Sequence, residues 1–426
     1  MPTTTNTARQ VFLDGLGGEL ASSDSFLHQN SYPTHTLTCA NEIFNIWVCR
    51  MIMLGYHFTD KPPFEHMFVH AVARDEKGRK MSKSLGNGID PNEMLQKYSA
   101  DSLRMALNSL IVPGRDALLS QKSAEELIVK WRNFGNKLWN VSRFIYDQEE
   151  QLVSNQEFRV SSASGWIWEK LDALSQNIAQ NMAVYRLGQV MDDIYHFVWD
   201  DLASWYIEYL KTAPDQLIFA KKHVFEPLLK LIHPFVPFET EAIWQELSQL
   251  DQTLNPKQNL LLQEHFNLPR IDIKLFSSQD FESVIGFVNQ FRQLRGLYRI
   301  DPVLKVKISS ENPLIQEYSK FLGLIARLET DKQTSSNSQN QFSQKWSGIE
   351  FGFDLKSIIP DLTLELNRTK EDLVKTEAEI LKLEKLLSNP GFVLKASEET
   401  VEKTKMELSE KLEFRSQLQA KVEFLG

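Results

Sequence analysis

The chain has 426 residues, more than one compact core accommodates, so roughly two to four domains are expected. A hydrophobic content of 42% against 24% charged residues is a globular balance, and no apolar run approaches the roughly 20 residues that a membrane-spanning helix needs. The net charge of −9 argues against indiscriminate nucleic-acid binding, and Cys39 and Cys49, the only cysteines, supply neither a disulfide framework nor a four-cysteine zinc site. With an N-terminus that is neither basic nor apolar in the manner of a signal peptide, the expectation is a cytoplasmic protein.

Residues 1–32 are rich in Ser, Thr, Asn and Gly without a period and read as an irregular remnant. Residues 35–39 alternate like a short strand, 42–54 read as a buried helix, and 67–72 as a strand inside a sheet. A glycine-containing loop follows at 78–87, Asp90-Pro91 opens a helix, and 100–110 form another. Strand, helix, strand, loop is the order of half a doubly wound α/β fold, here over residues 33–115.

From 116 to 250 the period becomes helical. A capping box, Ser123 with Glu126, precedes Leu127, Trp131, Phe134, Leu138, Val141 and Ile145, spaced along one helix face. Leu187, Met191, Ile194, Val198, Leu202, Trp205 and Tyr209 mark a second helix. A third, at 224–232, stops before Pro234 and Pro237, and a fourth covers 240–247. This predicts a bundle of at least four helices.

A linker and a small α/β junction are expected over 251–355: Phe281, Val284, Val288 and Phe291 form a helix face, Leu304, Val306 and Ile308 alternate with lysines as a strand, and 330–346 are low in complexity. In the last segment, 356–426, Leu366, Leu373, Ile380 and Leu387 fall at intervals of seven, with Leu383 on the other seam position. After a break at Asn389-Pro390-Gly391 the pattern resumes with Val401, Leu408, Leu412, Val422 and Leu425, predicting an antiparallel two-stranded coiled coil. Read on its own terms, such a hairpin serves equally well in self-association. The whole chain is mainly α with a partial α/β.

The densest chemistry lies in residues 78–87, Gly-Arg-Lys-Met-Ser-Lys-Ser-Leu-Gly-Asn. Lys80 and Lys83 are point charges with three donors each, and Ser82, Ser84 and glycine-relieved backbone N–H groups supply further donors for a polyphosphate. Arg74, Lys77 and Arg79 make the strip locally basic despite the acidic total. His66 and His70 are four apart on a strand pattern with no cysteine or carboxylate placed to complete a tetrahedral set, so no metal is expected.

The string from Gly78 to Pro91, with Tyr-Ser-Ala-Asp-Ser-Leu-Arg-Met-Ala-Leu beginning at Tyr98, resembles class I aminoacyl-tRNA synthetases and above all the valyl-tRNA synthetase family. The stretch 38–51 is similar to that family's segment approaching the nucleotide ribose, with Glu42 at the acidic position and Trp47 and Arg50 following. Ala40 stands where the family usually has glycine, and the residues read by themselves fit a helix cap at Asn41 and a core tryptophan. Residues 197–208 and 233–244 resemble hallmarks of the family's anticodon-binding domain, and Leu387 to Val393 resembles the turn of its tRNA-binding arm.

The resemblance implies the C-terminal part of a Rossmann-type nucleotide fold, a helical anticodon-binding bundle, a small junction and a coiled-coil arm at the tRNA elbow. It implies ATP-dependent attachment of valine to its tRNA through valyl-adenylate, with magnesium accompanying ATP. Lys83 and then Lys80 are the implied catalytic residues, with Ser82, Ser84, Met81, Glu42, Trp47 and His70 around the nucleotide. The family's other ATP motif, His-x-Gly-His, is absent from these residues, as is its inserted editing domain. The chain therefore reads as a C-terminal portion that needs the N-terminal portion from a second chain or a longer reading frame. The alternative is a tRNA-binding module without ligase activity.

Overall fold

The computed structural model describes residues 32–70, 72–82, 85–111, 116–146, 160–250, 268, 278–331, 341–354, 359, 362–389 and 398–425. It is mostly helical, with a few short strands, and divides into two units, Met1–Ser278 and Gln279–Gly426.

In the first unit, β1 (Thr34–Ala40) and β2 (Phe64–His70) run parallel, Thr36 opposite His66 and Ala40 opposite His70. Parallel neighbours require a crossover. It consists of a 3₁₀ turn (Asn41–Ile43), a π turn (Phe44–Val48) and α1 (Cys49–Thr59). The segment expected to be a buried helix is helical but open. Val48 is buried, whereas Ile43, Ile46, Trp47, Met51, Met53 and Leu54 are exposed. An apolar sequence on every face reads as core, but the two strands beside this helix are too few to cover it.

The second strand also ends early. Beyond His70, Val72 donates its N–H to the Asp116 carboxylate at 3.2 Å, and β3 (Ala73–Arg74) pairs in parallel with β4 (Ala117–Leu118). Two short helices follow the loop, α2 (Pro91–Lys97) capped by Asp90 and α3 (Ala100–Ser109) capped by Ser99.

Next comes α4 (Gln121–Tyr146), which starts before the expected capping box. Ser120 Oγ accepts from Ser123 N at 3.0 Å and Ser123 Oγ accepts from Ser120 N at 2.9 Å, so Ser123 takes the reciprocal role given to glutamate in the sequence reading. The buried stripe runs through Ala124 and Ile128, with Leu127 half-buried beside it. A helix absent from the sequence reading, α5 (Ser162–Ala183), buries Ile167, Leu171, Leu174 and Ile178 in the bundle. After it, α6 (Leu187–His196) passes through a π segment (Phe197–Tyr206) into a final turn (Ile207–Leu210). The wider π turns rotate the helix phase, so Tyr206 is fully buried and Trp205 only partly. Its hydroxyl lies 2.9 Å from Ser164 Oγ, which donates to Gln216 at 3.0 Å. α7 (Glu226–Ile232) and α8 (Pro237–Leu250) close the bundle, with Pro234 between them and Pro237 opening the second.

In the second unit, α9 (Ser278–Leu297) packs Phe287 edge-on against Phe351 at 4.9 Å between ring centroids. The sheet order is β6 (Leu328–Asp331), β5 (Val306–Ser309), β8 (Ile349–Asp354), β7 (Gln341–Trp346). β5 and β6 are parallel and the other pairs antiparallel, with β7 and β8 joined by Ser347-Gly348, both at positive φ. Leu304, expected in the strand, precedes it and is exposed.

The remaining helices, α12 (Leu362–Leu387) and α13 (Glu398–Leu425), follow the short α10 (Pro313–Glu317) and α11 (Ser319–Ile325). They are antiparallel, since Glu379 meets Lys411 and Glu365 meets Lys421. Ile380 and Leu418 are buried in their seam, but so are Thr369, Thr376 and Thr404. Each threonine hydroxyl donates to the carbonyl four residues back, which lets a polar residue occupy the seam. The expected Pro390-Gly391 break lies outside the described residues.

Candidate active site

The basic turn is framed by two side chains the sequence reading passed over. Arg74 and Lys80 form an antiparallel bridge at its entry, and Gly78 and Gly86 adopt positive φ of 73° and 61°, conformations that side chains with a Cβ rarely take. Inside, the Asp75 carboxylate accepts from Lys77 N (3.0 Å), Arg79 N (2.8 Å), Arg79 Nε (2.8 Å) and Asn87 Nδ2 (3.0 Å). The bonds from Asn87 and Arg79 hold its carboxyl far below the usual carboxylate range. Asn87 Oδ1 in turn accepts from Ser82 N at 2.9 Å, and Ser82 Oγ from Leu85 N at 3.3 Å. The local signal for Asp75 was an Asx residue bonding the backbone two residues on; Asn87 carried no signal of its own.

Of the residues expected at a nucleotide, the structure brings Glu42 and Lys80 together as an ion pair, with Arg74 Nη2 at 3.6 Å from the same carboxylate. Arg74 also binds Asp116 at 2.5 Å, which raises the guanidinium's affinity for its proton and lowers that of the acid. The Lys80 side chain is 59% exposed, and exposed pairs contribute only about 0–1 kcal/mol. The pair therefore adds little to the stability of the turn.

Met81 lines an apolar recess of about 170 Å³ with Ile89, Met94, Leu103, Leu119 and Ile128, on the inner side of the turn. A cleft of about 460 Å³ opens next to it, bordered by Lys77, Arg79, Met81, Asn87, Ser120 and Lys122. Lys80 is not among its walls. Trp47 sits on the π turn, 57% exposed, and His70 ends β2, half-buried. Lys83 and Ser84 lie outside the described residues.

A second assembly joins two motifs 130 residues apart. Asp101 of α3 caps the N-terminus of α8 by accepting from Glu239 N at 2.7 Å, Arg104 donates to the Pro234 carbonyl at 3.2 Å, and Ser99 donates to Glu239 at 2.9 Å. Burial raises both Asp101 and Glu239 above the usual carboxylate range. His233, whose Nδ1 lies 2.7 Å from Thr240 Oγ1, is lowered by burial. Within 197–208, Phe197, Val198, Leu202 and Tyr206 are core, while the half-buried Trp199 stacks on Tyr195 at 5.5 Å between Lys137 and Lys130.

A phosphate-type turn on a parallel strand unit, clamped to a helical bundle, is the layout of class I aminoacyl-tRNA synthetases. Residues 21–120 match the family described as tRNA synthetases class I (I, L, M and V), and 164–310 match the anticodon-binding domain of tRNA ligase. Residues 361–426 match the valyl tRNA synthetase tRNA binding arm. The chain belongs to the valyl-tRNA synthetase family.

Among its relatives, the valine–tRNA ligase of Nitratiruptor sp. is 33% identical, over 89% of this chain and 42% of the relative. That of Thermotoga maritima is 32% identical, over 91% of this chain and 44% of the relative. The chain thus spans less than half the length of these curated relatives. Solved structures with weaker likeness include Mycobacterium tuberculosis methionyl-tRNA synthetase in complex with methionyl-adenylate (18% identity, TM-score 0.48, 63% of this chain, 55% of that one). Another is the ternary complex of Agrobacterium radiobacter K84 LeuRS, tRNA and LeuAMS (15% identity, TM-score 0.48, 80% and 40%). Among the described residues, no helix is long and apolar enough to cross a membrane.

Proposed function

We propose that this chain supplies the phosphate-gripping turn, the anticodon-binding bundle and the tRNA-binding arm of a cytoplasmic valine–tRNA ligase. The observation that carries the reading is the framed lysine turn, in a chain whose three family segments occur in the synthetase order. In the activation step the valine carboxylate attacks the α-phosphate of ATP, a new P–O bond forms, and the bond to the β-phosphate breaks to release pyrophosphate. Charge grows on that leaving group, so cations that tighten around it in the transition state accelerate the step. Lys80 leaves Glu42 for the phosphates and Lys83 joins it, while Asp75 and Asn87 hold the turn's path and Ser82, Ser84 and Met81 complete it.

Magnesium would accompany ATP on its phosphates. Among the described residues no group of three or more His, Cys, Asp or Glu side chains is placed to hold the ion, and Asp75 inside the turn is engaged by Arg79 and Asn87. The proposed domains are a Rossmann-type part over 33–115, the anticodon bundle over 116–250, the junction over 251–355 and a coiled-coil arm over 356–426. The exposed apolar face of 43–54 fits the nucleotide-fold half that carries His-x-Gly-His, whether in a longer form of this polypeptide or in a second chain.

The test is ATP–pyrophosphate exchange with valine, by the chain alone and mixed with that half. The expected outcome is tRNA binding without exchange alone, and exchange after complementation. Lys83→Ala should then lower the rate about 10²–10³-fold. An undiminished rate in that variant overturns the role of the turn, and a chain that does not retain tRNA overturns the reading as a whole.

A further inference from the structure

The α12–α13 hairpin is tied to the rest of its unit by charge. Lys421 Nζ lies 2.7 Å from Glu365 Oε1 and 2.6 Å from the Leu297 carbonyl oxygen, with the Tyr298 ring centroid at 4.8 Å. The Lys421 and Glu365 side chains are 3% and 8% exposed. Leu297 ends α9, so its carbonyl belongs to the negative pole of that helix. Lys421 on one hairpin helix, Glu365 on the other and the end of α9 thus meet at one ammonium group.

Two residues on, Arg299 adopts φ 51°, uncommon for a residue with a side chain, and its guanidinium reaches Asp372 at 2.6 Å. Asp372 is one heptad beyond Glu365 on the same helix. Beside these ties is a cleft of about 460 Å³ bordered by Gln293, Gly296, Arg299, Asp372, Phe414 and Leu418. Close apolar packing therefore does not set the hairpin's angle there. Apolar residues of similar volume hold helices together as well as a buried ion pair, or better. What the pair adds is geometry. An ammonium that must satisfy a carboxylate, a helix-end carbonyl and a ring face does so in one arrangement, whereas apolar surfaces slide.

We infer that Lys421, Glu365, Arg299 and Asp372 are positioning residues that fix the angle at which the hairpin leaves its unit, and through it where the hairpin meets tRNA. The inference rests on the reading of the hairpin as a tRNA arm. Two contacts on one tRNA, by bundle and by hairpin, reinforce each other only while both can be made at once.

The test uses the full chain with Glu365→Leu and Lys421→Met combined, which keeps the volume and removes both charges. Spin labels go on Gln290→Cys and Glu384→Cys, with Cys39 and Cys49 replaced by alanine in every sample. Expected are an unfolding midpoint at or above that of the parent, a label distance distribution broadened or displaced, and tRNA affinity lower by about 10²-fold. Arg299→Ala should shift the same distance. An unchanged distribution in both variants overturns the mount, and a changed distribution with unchanged tRNA affinity overturns its role in placing RNA. A parent chain that fails to bind tRNA counts against the proposed function, and the label distance then judges the mount alone.

Discussion

Gly135 lies in the middle of α4, where replacing glycine by alanine ordinarily stabilises a helix by about 1 kcal/mol. Here the added methyl would enter the Glu239 carboxylate, with Cδ at 2.6 Å from the new Cβ. Glu239 is not free to swing aside without loss, because its carboxylate accepts from Ser99 and its backbone N–H is held by Asp101. Displacing it forfeits a hydrogen bond to a charged acceptor, about 1.5–3 kcal/mol, and crowding a packed site adds about 1–3 kcal/mol. The opposing helix gain leaves a net destabilisation of about 3 kcal/mol. At about 2–4 °C per kcal/mol for a unit of this size, its unfolding midpoint should fall by about 6–12 °C.

The informative comparison is a double-mutant cycle read by differential scanning calorimetry. In a Glu239→Ala background the clash is gone, and Gly135→Ala should raise the midpoint instead. The coupling between the two positions is then about 4 kcal/mol, the 3 lost in one background plus the 1 gained in the other. A Gly135→Ala variant that stabilises the parent chain would falsify the account of this junction, since helix propensity would then have outweighed the clash.

Three further outcomes are expected. Glu239, raised by burial and by Asp101, binds its proton more tightly folded than unfolded, so its contribution to stability is present below about pH 4 and is lost as pH rises toward the folded value. Glu239→Gln does not titrate, so its midpoint advantage over the parent should widen between pH 4 and pH 7; a narrowing gap reverses the sign. Asp75→Ala removes the acceptor shared by two backbone N–H groups, and the Lys77 and Arg79 amides should exchange with deuterium at least about tenfold faster, with the bundle unaffected. Ile380→Ala should cost unit two about 3 kcal/mol, against under about 0.5 kcal/mol for the exposed Val374→Ala; equal losses would mean that the seam is misplaced.

Legibility followed how local the deciding interaction was. α4 and α9 were readable because three- and four-residue spacing alone places Trp131, Phe134 and Leu138, or Phe281, Val284 and Val288, on one face. α5 carried the same signal, a Ser161 cap and apolar residues at 167, 171, 174 and 178, and was overlooked after an irregular polar stretch. Other features had no local signature. Whether Trp47 is core depends on what lies across from it, and the phase change at Tyr206 comes from π turns that no spacing announces. The Asp75–Asn87 frame exists only once the chain path brings residues 12 apart together, so the turn's composition pointed to phosphate and stayed silent on its scaffold. The threonines of the hairpin seam were likewise invisible to a search for leucines at sevens.

The distribution of burial carries the remaining argument. Leu138, Leu171, Val190, Leu202 and Phe225 are sealed in the bundle, while six apolar side chains between Ile43 and Leu54 are exposed beside two strands. Covering six such side chains at roughly 1 kcal/mol each for partial burial yields about 6 kcal/mol. That is comparable to the whole stability margin of a domain. The bundle exposes Trp139, Met182, Val184 and Phe238 but holds a sealed core of its own, so the two parts of this unit differ in what they need. The helices hold themselves, whereas the strand pair, followed by the turn that carries Glu42, leaves its apolar neighbour open. Preorganisation of a catalytic cation is worth most when its surroundings do not move. Under the proposed function, covering the apolar face and steadying the lysine turn would therefore go together.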